Sequence, residues 1–350
     1  MLNDLKNLQE EYPDAAITRR FCKKNAPQLE WGWEKYFGTW SSFQESAGII
    51  QTRQAKRINT EISAYSATDG IVDYVRTEVH PYSDKFSFSK NERFVSIAVC
   101  SDLHCLDADK FTVDIFIDTI RRRQPNIICL NGDMIDLYWF SRFTKDPRHS
   151  STEESMASFR AFLAKIRIAC PNAQIDFILG NHEERFIKLL SDKCPQLLPL
   201  LGDVMGMRLK DVFGLDDYEV NLISKLDLDM WRPNKGNHSR NYKIYHECFV
   251  AVHEKKDLSF GLSGTNGHSH APGLCSFKSA PMGAMTWNTT GCMCVTDAEY
   301  ISANSKWVNG LGWAVIDTKK KSVAQESIII PGDHVVIDGI LYQRGKRWAQ

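Results

Sequence analysis

Asp102 and His104 stand two residues apart at the end of an apolar run. At that spacing on an extended backbone a carboxylate and an imidazole point the same way, where they can bind one cation together. The run before them, Phe94, Val95, Ile97, Ala98, Val99 and Cys100, is too short and too β-branched for a helix and reads as a buried strand; polarity switches at Ser101. The pattern then repeats. Pro125 stops a helix, Asn126, Ile127, Ile128, Cys129 and Leu130 make a second strand, and Asn131-Gly132-Asp133 follows at once, with Asp136 three residues on. Gln174 to Leu179 makes a third, closed by Gly180-Asn181-His182-Glu183. Further on, Cys248 to Val252 is a fourth strand ending at His253, and Gly267-His268-Ser269-His270 follows a short loop. In an open α/β sheet such strand ends line one crevice, where ligands bind. One Asp/His pair arises by chance in many proteins, so the signal is the joint occurrence.

Taken in order, Asp102-Leu103-His104, Gly132-Asp133, Gly180-Asn181-His182-Glu183, the lone His253 and Gly267-His268-Ser269-His270 resemble the signature of the calcineurin-like metallophosphoesterases, over about half of the chain. The resemblance implies two divalent metal ions. Asp102, His104, Asp133 and His270 would hold the first and Asp133, Asn181, His253 and His268 the second, with Asp133 bridging. One departure is visible: the family often has Gly before the lone His, and here Val252 precedes His253, which leaves His246 and His238 as alternatives for that ligand. His182 matches the family's catalytic histidine, placed to protonate the leaving oxygen or stabilise the transition state; the plainer reading is a residue that orients a ligand. A donor set of imidazoles, carboxylates and one amide oxygen, without thiolates, suits Mn, Fe, Zn or similar divalent ions without ranking them; manganese is the ion expected, with Fe, Zn, Ni or Mg as alternatives. Two such ions about 3.5 to 4 Å apart would share a water, lower its pKa and present hydroxide in line with phosphorus.

The elements that must position these residues follow from periodicity. Asp107 or Asp109 can cap a helix with Val113, Phe116, Ile117 and Ile120 on one face and Arg121, Arg122 and Arg123 in its last turn, where they suit the helix dipole better than a phosphate clamp. A second helix, about Glu153 to Ile168, turns Met156, Phe159, Phe162 and Ile166 inward. Both are crossovers of the kind a mainly parallel sheet requires. After His270, Met285 to Thr290, Trp313 to Asp317, Glu326 to Ile330 and His334 to Asp338 read as strands that form or complete a second sheet. The fold class expected is α/β, and the resemblance implies a sandwich of two mixed sheets flanked by helices.

A chain of 350 residues exceeds what one core usually serves. We expect a helical module over residues 1–90 and the phosphoesterase domain over 91–350. The module reads as three short helices, one ending near Pro27, one from Leu29 to Phe43 with Trp33, Phe37, Trp40 and Phe43 as an aromatic stripe, and one from Thr52 to Tyr65. Arg19, Arg20, Lys23, Lys24, Arg53, Lys56 and Arg57 make it compatible with a helix-turn-helix-like DNA module. A bundle that merely packs on the catalytic domain is the simpler reading, and the one we favour. Residues 36 to 43 resemble the N-terminal helical part of some phage-encoded members of the family.

Lys plus Arg and Asp plus Glu both count 43, a formal net charge of +0, so no global electrostatic grip on nucleic acid or membrane is indicated and any basic surface is local. No apolar run follows a basic N-terminal segment and none reaches bilayer length, which predicts a cytoplasmic protein, and the resemblance to phage and bacterial members of the family implies a bacterial or phage-infected cell. The ten cysteines read as reduced core thiols, and Cys292-Met293-Cys294 lacks the spacing of a zinc knuckle. Arg142, Lys145, Arg148 and His149 follow closely on Asp133 and are either a grip on a phosphate backbone or an ordinary solvated loop; the same two readings hold for Arg185. The substrate expected is a phosphodiester in nucleic acid, and the alternative is a phosphomonoester on a phosphoprotein or small metabolite. A non-catalytic relic is disfavoured because no ligand is clearly missing. The tail with Trp287, Tyr300 and Trp307-Val308-Asn309-Gly310 also resembles phage and bacterial exonuclease-like members.

Overall fold

Short β-branched runs alternate with amphipathic helices because a strand can return parallel to its predecessor only through a long crossover. The computed structural model describes residues 2–11, 22, 25–26, 29, 74–78, 93–141, 151–224, 226–227, 232–233, 241–254, 261–279, 283–296 and 305–345. Two units are distinguished, residues 1–70 with 161–172, and 71–160 with 173–350. In the first, helix α1 (Leu2–Glu11) buries Leu5 and Leu8. The other helices expected in residues 1–90, with their aromatic stripe and basic residues, lie outside the described residues, as do Arg142, Lys145, Arg148 and His149. Among the described residues no helix is long and apolar enough to cross a membrane.

After α1 the chain forms β1 (Tyr74–Glu78) and β2 (Phe94–Cys100), followed by α2 (Lys110–Arg123), β3 (Ile127–Asn131), α3 (Thr152–Ala169), β4 (Gln174–Ile178), α4 (Asn181–Lys193) and β5 (Val220–Ile223). Strands β2, β3, β4 and β5 pair in parallel, as the crossovers require. Helix α2 starts where the Asp109 carboxylate accepts the Thr112 N–H at 3.0 Å, which satisfies one of the donors a helix start leaves open, and it buries Val113, Phe116, Ile117 and Ile120. After a two-stranded ribbon, β6 (Leu226–Asp227) with β7 (Arg232–Pro233), come β8 (Tyr242–Tyr245), β9 (Phe249–Val252), β10 (Ser263–Asn266), β11 (Gly273–Ser279) and β12 (Gly283–Thr289). These make a five-stranded sheet in the order β11-β12-β10-β9-β8, in which β9, β10 and β12 run parallel. The chain closes with β13 (Asn309–Asp317), β14 (Ser322–Ile330), β15 (His334–Ile337) and β16 (Ile340–Arg344).

Of the tail strands only the first enters the second sheet. Strand β13 pairs antiparallel with β2, and β14 with β13, so Trp313 to Asp317 and Glu326 to Ile330 extend the first sheet, in the order β14-β13-β2-β3-β4-β5. His334 to Ile337 instead joins a three-stranded sheet with β16 and β1, and β1 lies upstream of residue 90. The physical reason is burial. Ala314 and Ile316 of β13 pack with Ile97, Val99, Ile127, Cys129 and Ile178 of the first sheet and Phe249 and Ala251 of the second, and a strand buried in that shared core carries no sign of which sheet it pairs with.

The arginines ending α2 are structural. Arg123 donates to Asp338 at 2.6 Å and to Glu326 at 2.7 Å with its guanidinium 4.8 Å from the Trp313 ring centre, and Arg122 bonds Asp118 and Asp338, each at 3.0 Å. Arg123 is 5% exposed, so its removal strands a buried carboxylate. Arg123→Met should therefore lower the unfolding free energy by about 3 kcal/mol in urea denaturation, the low end for breaking a buried pair. Burial pushes the Asp338 carboxyl up, but Arg123 and Arg122 more than reverse it and hold the group below its ordinary 3.8. A depressed carboxylate stabilises above its unfolded pKa and loses that contribution as pH falls, so the gap between variant and parent should narrow below about pH 4.

Candidate metal centre

The register of the two sheets brings the polar strand ends together. Cys100 pairs with Leu130 and Asn131 with Ile178, so Asp102, Asp133 and Asn181 leave neighbouring strands on one edge of the first sheet. In the second sheet Asn266 lies beside Val252, which sets His253 next to His268 with ring centres 5.3 Å apart. Loop backbone then ties the ends to one another: Asp102 N–H donates to Gly132 C=O at 3.0 Å, and His104 N–H to Asp133 C=O at 3.1 Å.

Asp102, His104, Asp133, His268 and His270 all have positive φ, between 49° and 67°. Each such non-glycine residue costs on the order of 1 kcal/mol or more, and persists only where its surroundings hold it. Five of the expected ligands thus share a strained backbone that turns their side chains inward.

One donor atom from each of Asp133, His253 and His268 lies within 4.8 Å of the others, and the same holds for His104, Asp133 and His182. Asp133 belongs to both groups, and the second holds His182 where Asp102 and His270 were expected beside His104. His253 Nε2 is 3.1 Å from Asp133 Oδ2, and His270 Nε2 is 3.0 Å from Asp102 Oδ1. Donors that sit about 2 Å from a shared ion stand about 3 Å apart, so these spacings suit a cation between them. One buried atom supports the fit directly: Asn181 Oδ1 has no hydrogen-bond partner, a costly state that a metal would relieve. His253 Nδ1 meets Asn131 C=O at 2.7 Å, which orients the ring with Nε2 inward. His246 sits exposed in the turn between β8 and β9, and His238 lies outside the described residues. The group around His104 is largely buried, whereas His268 is exposed, so the second position faces solvent.

Burial followed by the neighbouring His182 pushes the His104 imidazole down to about 4, which leaves a neutral ring able to ligate. Burial alone would raise Asp133, but His253, His182 and His104 outweigh it and hold the carboxyl well below its usual range. Burial and the Asp133 charge push Glu183 up to about 7.

Glu183 is a residue whose role the sequence reading missed. Fully buried, its carboxylate accepts the backbone N–H of Gly180 (2.8 Å), Ile135 (2.9 Å) and Asp133 (3.1 Å), locking the Asp133 turn to the start of α4. The approach is close enough to demand glycine: a Cβ on Gly180 would stand 2.1 Å from Asp133 Oδ1, and one on Gly132 2.4 Å from the His253 ring. Asp136 was also undervalued. Its Oδ1 lies 2.6 Å from His182 Nδ1, while Arg185 Nη2 lies 2.7 Å from His182 Nε2 and Nη1 3.1 Å from Asp136 Oδ1. Arginine can only donate, so Nε2 accepts and the ring proton resides on Nδ1. The sequence carried no signal for either role, because one is a set of bonds to backbone and the other depends on how α4 is placed.

Two variants test this arrangement. Asp133→Asn should lower the bound metal, by elemental analysis, more than any single change at Asp102 or His104; two tightly held ions per chain in that variant would contradict the bridge. Glu183→Gln sets an amide donor against backbone N–H groups and should weaken metal binding about 10-fold or more, the usual cost of disturbing what orients a ligand; unchanged affinity in a metal titration would contradict the clamp.

The calcineurin-like phosphoesterase family model matches residues 95–274. A search of curated proteins returns no match. Solved structures similar to the chain include nuclease MPE of Pseudomonas putida, at 11% identity and TM-score 0.30, covering 74% of this chain and 100% of that one. A dimetal phosphatase from Danio rerio aligns at 12% identity and TM-score 0.35 over 67% of this chain and 98% of that one. Vps29 of Entamoeba histolytica aligns at 8% and 0.29 over 67% and 99%. With the family match spanning just over half of its 350 residues and all five motif blocks, the chain belongs to the calcineurin-like phosphoesterases and is a metal-dependent phosphoesterase.

Proposed function

We propose that the protein hydrolyses phosphodiesters in nucleic acid, with Asp102, His104, Asp133 and His270 holding one divalent ion, Asp133, Asn181, His253 and His268 holding the other, and His182 as the general acid. The observation that carries this reading is the His182–Asp136–Arg185 trio beside Asp133. Its guanidinium is already offset by a carboxylate, which suits a substrate phosphate with one negative charge better than the dianion of a monoester. P–O cleavage also expels an alkoxide, which needs a proton, and His182 stands where it can supply one.

When bound, two divalent ions supply Lewis acidity toward the phosphoryl oxygens and acidify the attacking water. The protein's own groups do the rest. The His182 backbone N–H donates to Asp133 Oδ1 at 2.9 Å, which fixes where the helix start lies relative to the bridging carboxylate. Asp136 holds the Nδ1 proton. Arg185 occupies the Nε2 side in this conformation; once it turns to the substrate phosphate, Nε2 can take a proton from water and then give it to the leaving oxygen. Nε2 lies 3.8 Å from Asp133 Oδ2, which sets that transfer beside the bridging carboxylate. Trp139 follows Asp133 by six residues and is 38% exposed, a surface on which an unstacked base can lie. Arg142, Lys145, Arg148 and His149 then follow as contacts to flanking phosphates. The oxygen donors Asp133 and Asn181 favour manganese at the second position. In the same reading the enzyme is cytoplasmic, and the helical module ends before β1, the strand that pairs with β16.

His182→Ala should keep the metal complement and lose about 100-fold or more in turnover, the usual contribution of a general acid; metal lost together with activity would make it a ligand instead. For the substrate, a chromogenic phosphodiester should be cleaved faster than the matching monoester, and binding to DNA or RNA should fall steeply with salt as several phosphates are released. A flat salt profile with faster monoester turnover would establish the phosphatase reading.

A further inference from the structure

Cys292 and Cys294 reach the metal centre from the loop after β12, and the sequence alone reads them as inert core thiols. They are 0% and 1% exposed. The loop is tightly fixed: Met293 N–H donates to Asp102 C=O at 3.1 Å, Asp109 N–H to Met293 C=O at 2.7 Å, and Asn309 Nδ2 to Cys294 C=O at 2.7 Å. The Cys292 thiol faces the carbonyls of Cys294 (3.8 Å) and Val308 (3.7 Å) and also meets the His270 side chain. Cys294 Sγ lies in a group with one ring nitrogen of His104 and one of His270, all within 4.8 Å of one another and all buried. His270 is 4% exposed and Trp307 packs on its ring with centres 4.0 Å apart, so the ring has little room to turn away.

We infer that Cys294 supplies a thiolate to the ion held by His104 and His270, so that the first metal position selects a thiophilic divalent ion such as zinc over manganese. A zinc ion sits about 2.3 Å from a thiolate and about 2.1 Å from an imidazole, so two such donors are at most about 4.4 Å apart, and the three atoms close on one ion with only a small shift. Binding releases the thiol proton to solvent and no electron is transferred. A soft donor at one position beside harder oxygen donors at the other gives a mixed pair of ions, since thiolate favours zinc and carboxylate or amide oxygen favours manganese.

The inference rests on the two-ion reading and is tested separately from it by loading the metal-stripped full-length protein with cobalt. Wild type and Cys292→Ser should show a near-ultraviolet thiolate-to-cobalt charge-transfer band. Cys294→Ser should lose the band while retaining two cobalt ions per chain, and its zinc-over-manganese preference at one position should fall about 10-fold or more. Cobalt bound to wild type without the band, or a band that survives Cys294→Ser, overturns the thiolate while leaving the two ions; a wild type that binds no cobalt overturns both. X-ray absorption at the zinc edge of the wild-type protein repeats the test without a variant. A sulfur shell at about 2.3 Å is expected, and a shell of nitrogen and oxygen alone overturns the assignment.

Discussion

The site depends on one buried carboxylate that binds no substrate. Glu183 accepts three backbone N–H groups from two separate strand ends, and without it neither the Asp133 turn nor the start of α4 has a reason to stay where it is. Hydrogen bonds to a charged acceptor are stronger than neutral ones and offset the cost of burying it. They also hold Asp133 in a left-handed backbone that it would otherwise leave. Glu183 and Asp133 are like charges side by side in a dry setting, a pairing that favours cations in the same crevice. The clamp therefore sets the geometry and the electrostatic demand together.

The remaining strain is spread over Asp102, His104, His268 and His270 and is held by backbone bonds between loops of the two sheets. This explains why the fold places the candidate ligands on strand ends. Parallel strands of each sheet bring the ends into register, and the shared apolar core of Val99, Cys129, Phe249 and Ala251 holds the two edges against each other. The exposed side of His268 leaves a way in for a ligand, while the His104 and His270 side is closed by protein.

Strand ends were legible because a short apolar run that stops at a charged residue has one physical interpretation. Asp102, Asp133, Asn181, His253, His268 and His270 could be assigned to one crevice from that pattern, and the amphipathic faces of α2 and α3 followed from helical spacing. Val252 before His253 looked like a departure, yet Val252 packs with Val250 and Trp287 in the second sheet, and the space for the His253 ring comes from Gly132 instead. What escaped the sequence was anything set by non-local pairing. Strand β13 joins β2 from more than 200 residues away, Cys294 comes beside His104 from the loop after β12, and Glu183 acts through backbone N–H groups that no side-chain pattern reveals.

The central claim is that these strand ends build one centre that works with two ions. Stripping the protein of metal and titrating manganese back, while following bound metal and hydrolysis of a chromogenic phosphodiester in the same samples, tests it most directly. Turnover should stay low at one equivalent and reach its plateau at two per chain. A plateau at one equivalent, or turnover in the fully stripped protein, would contradict the account.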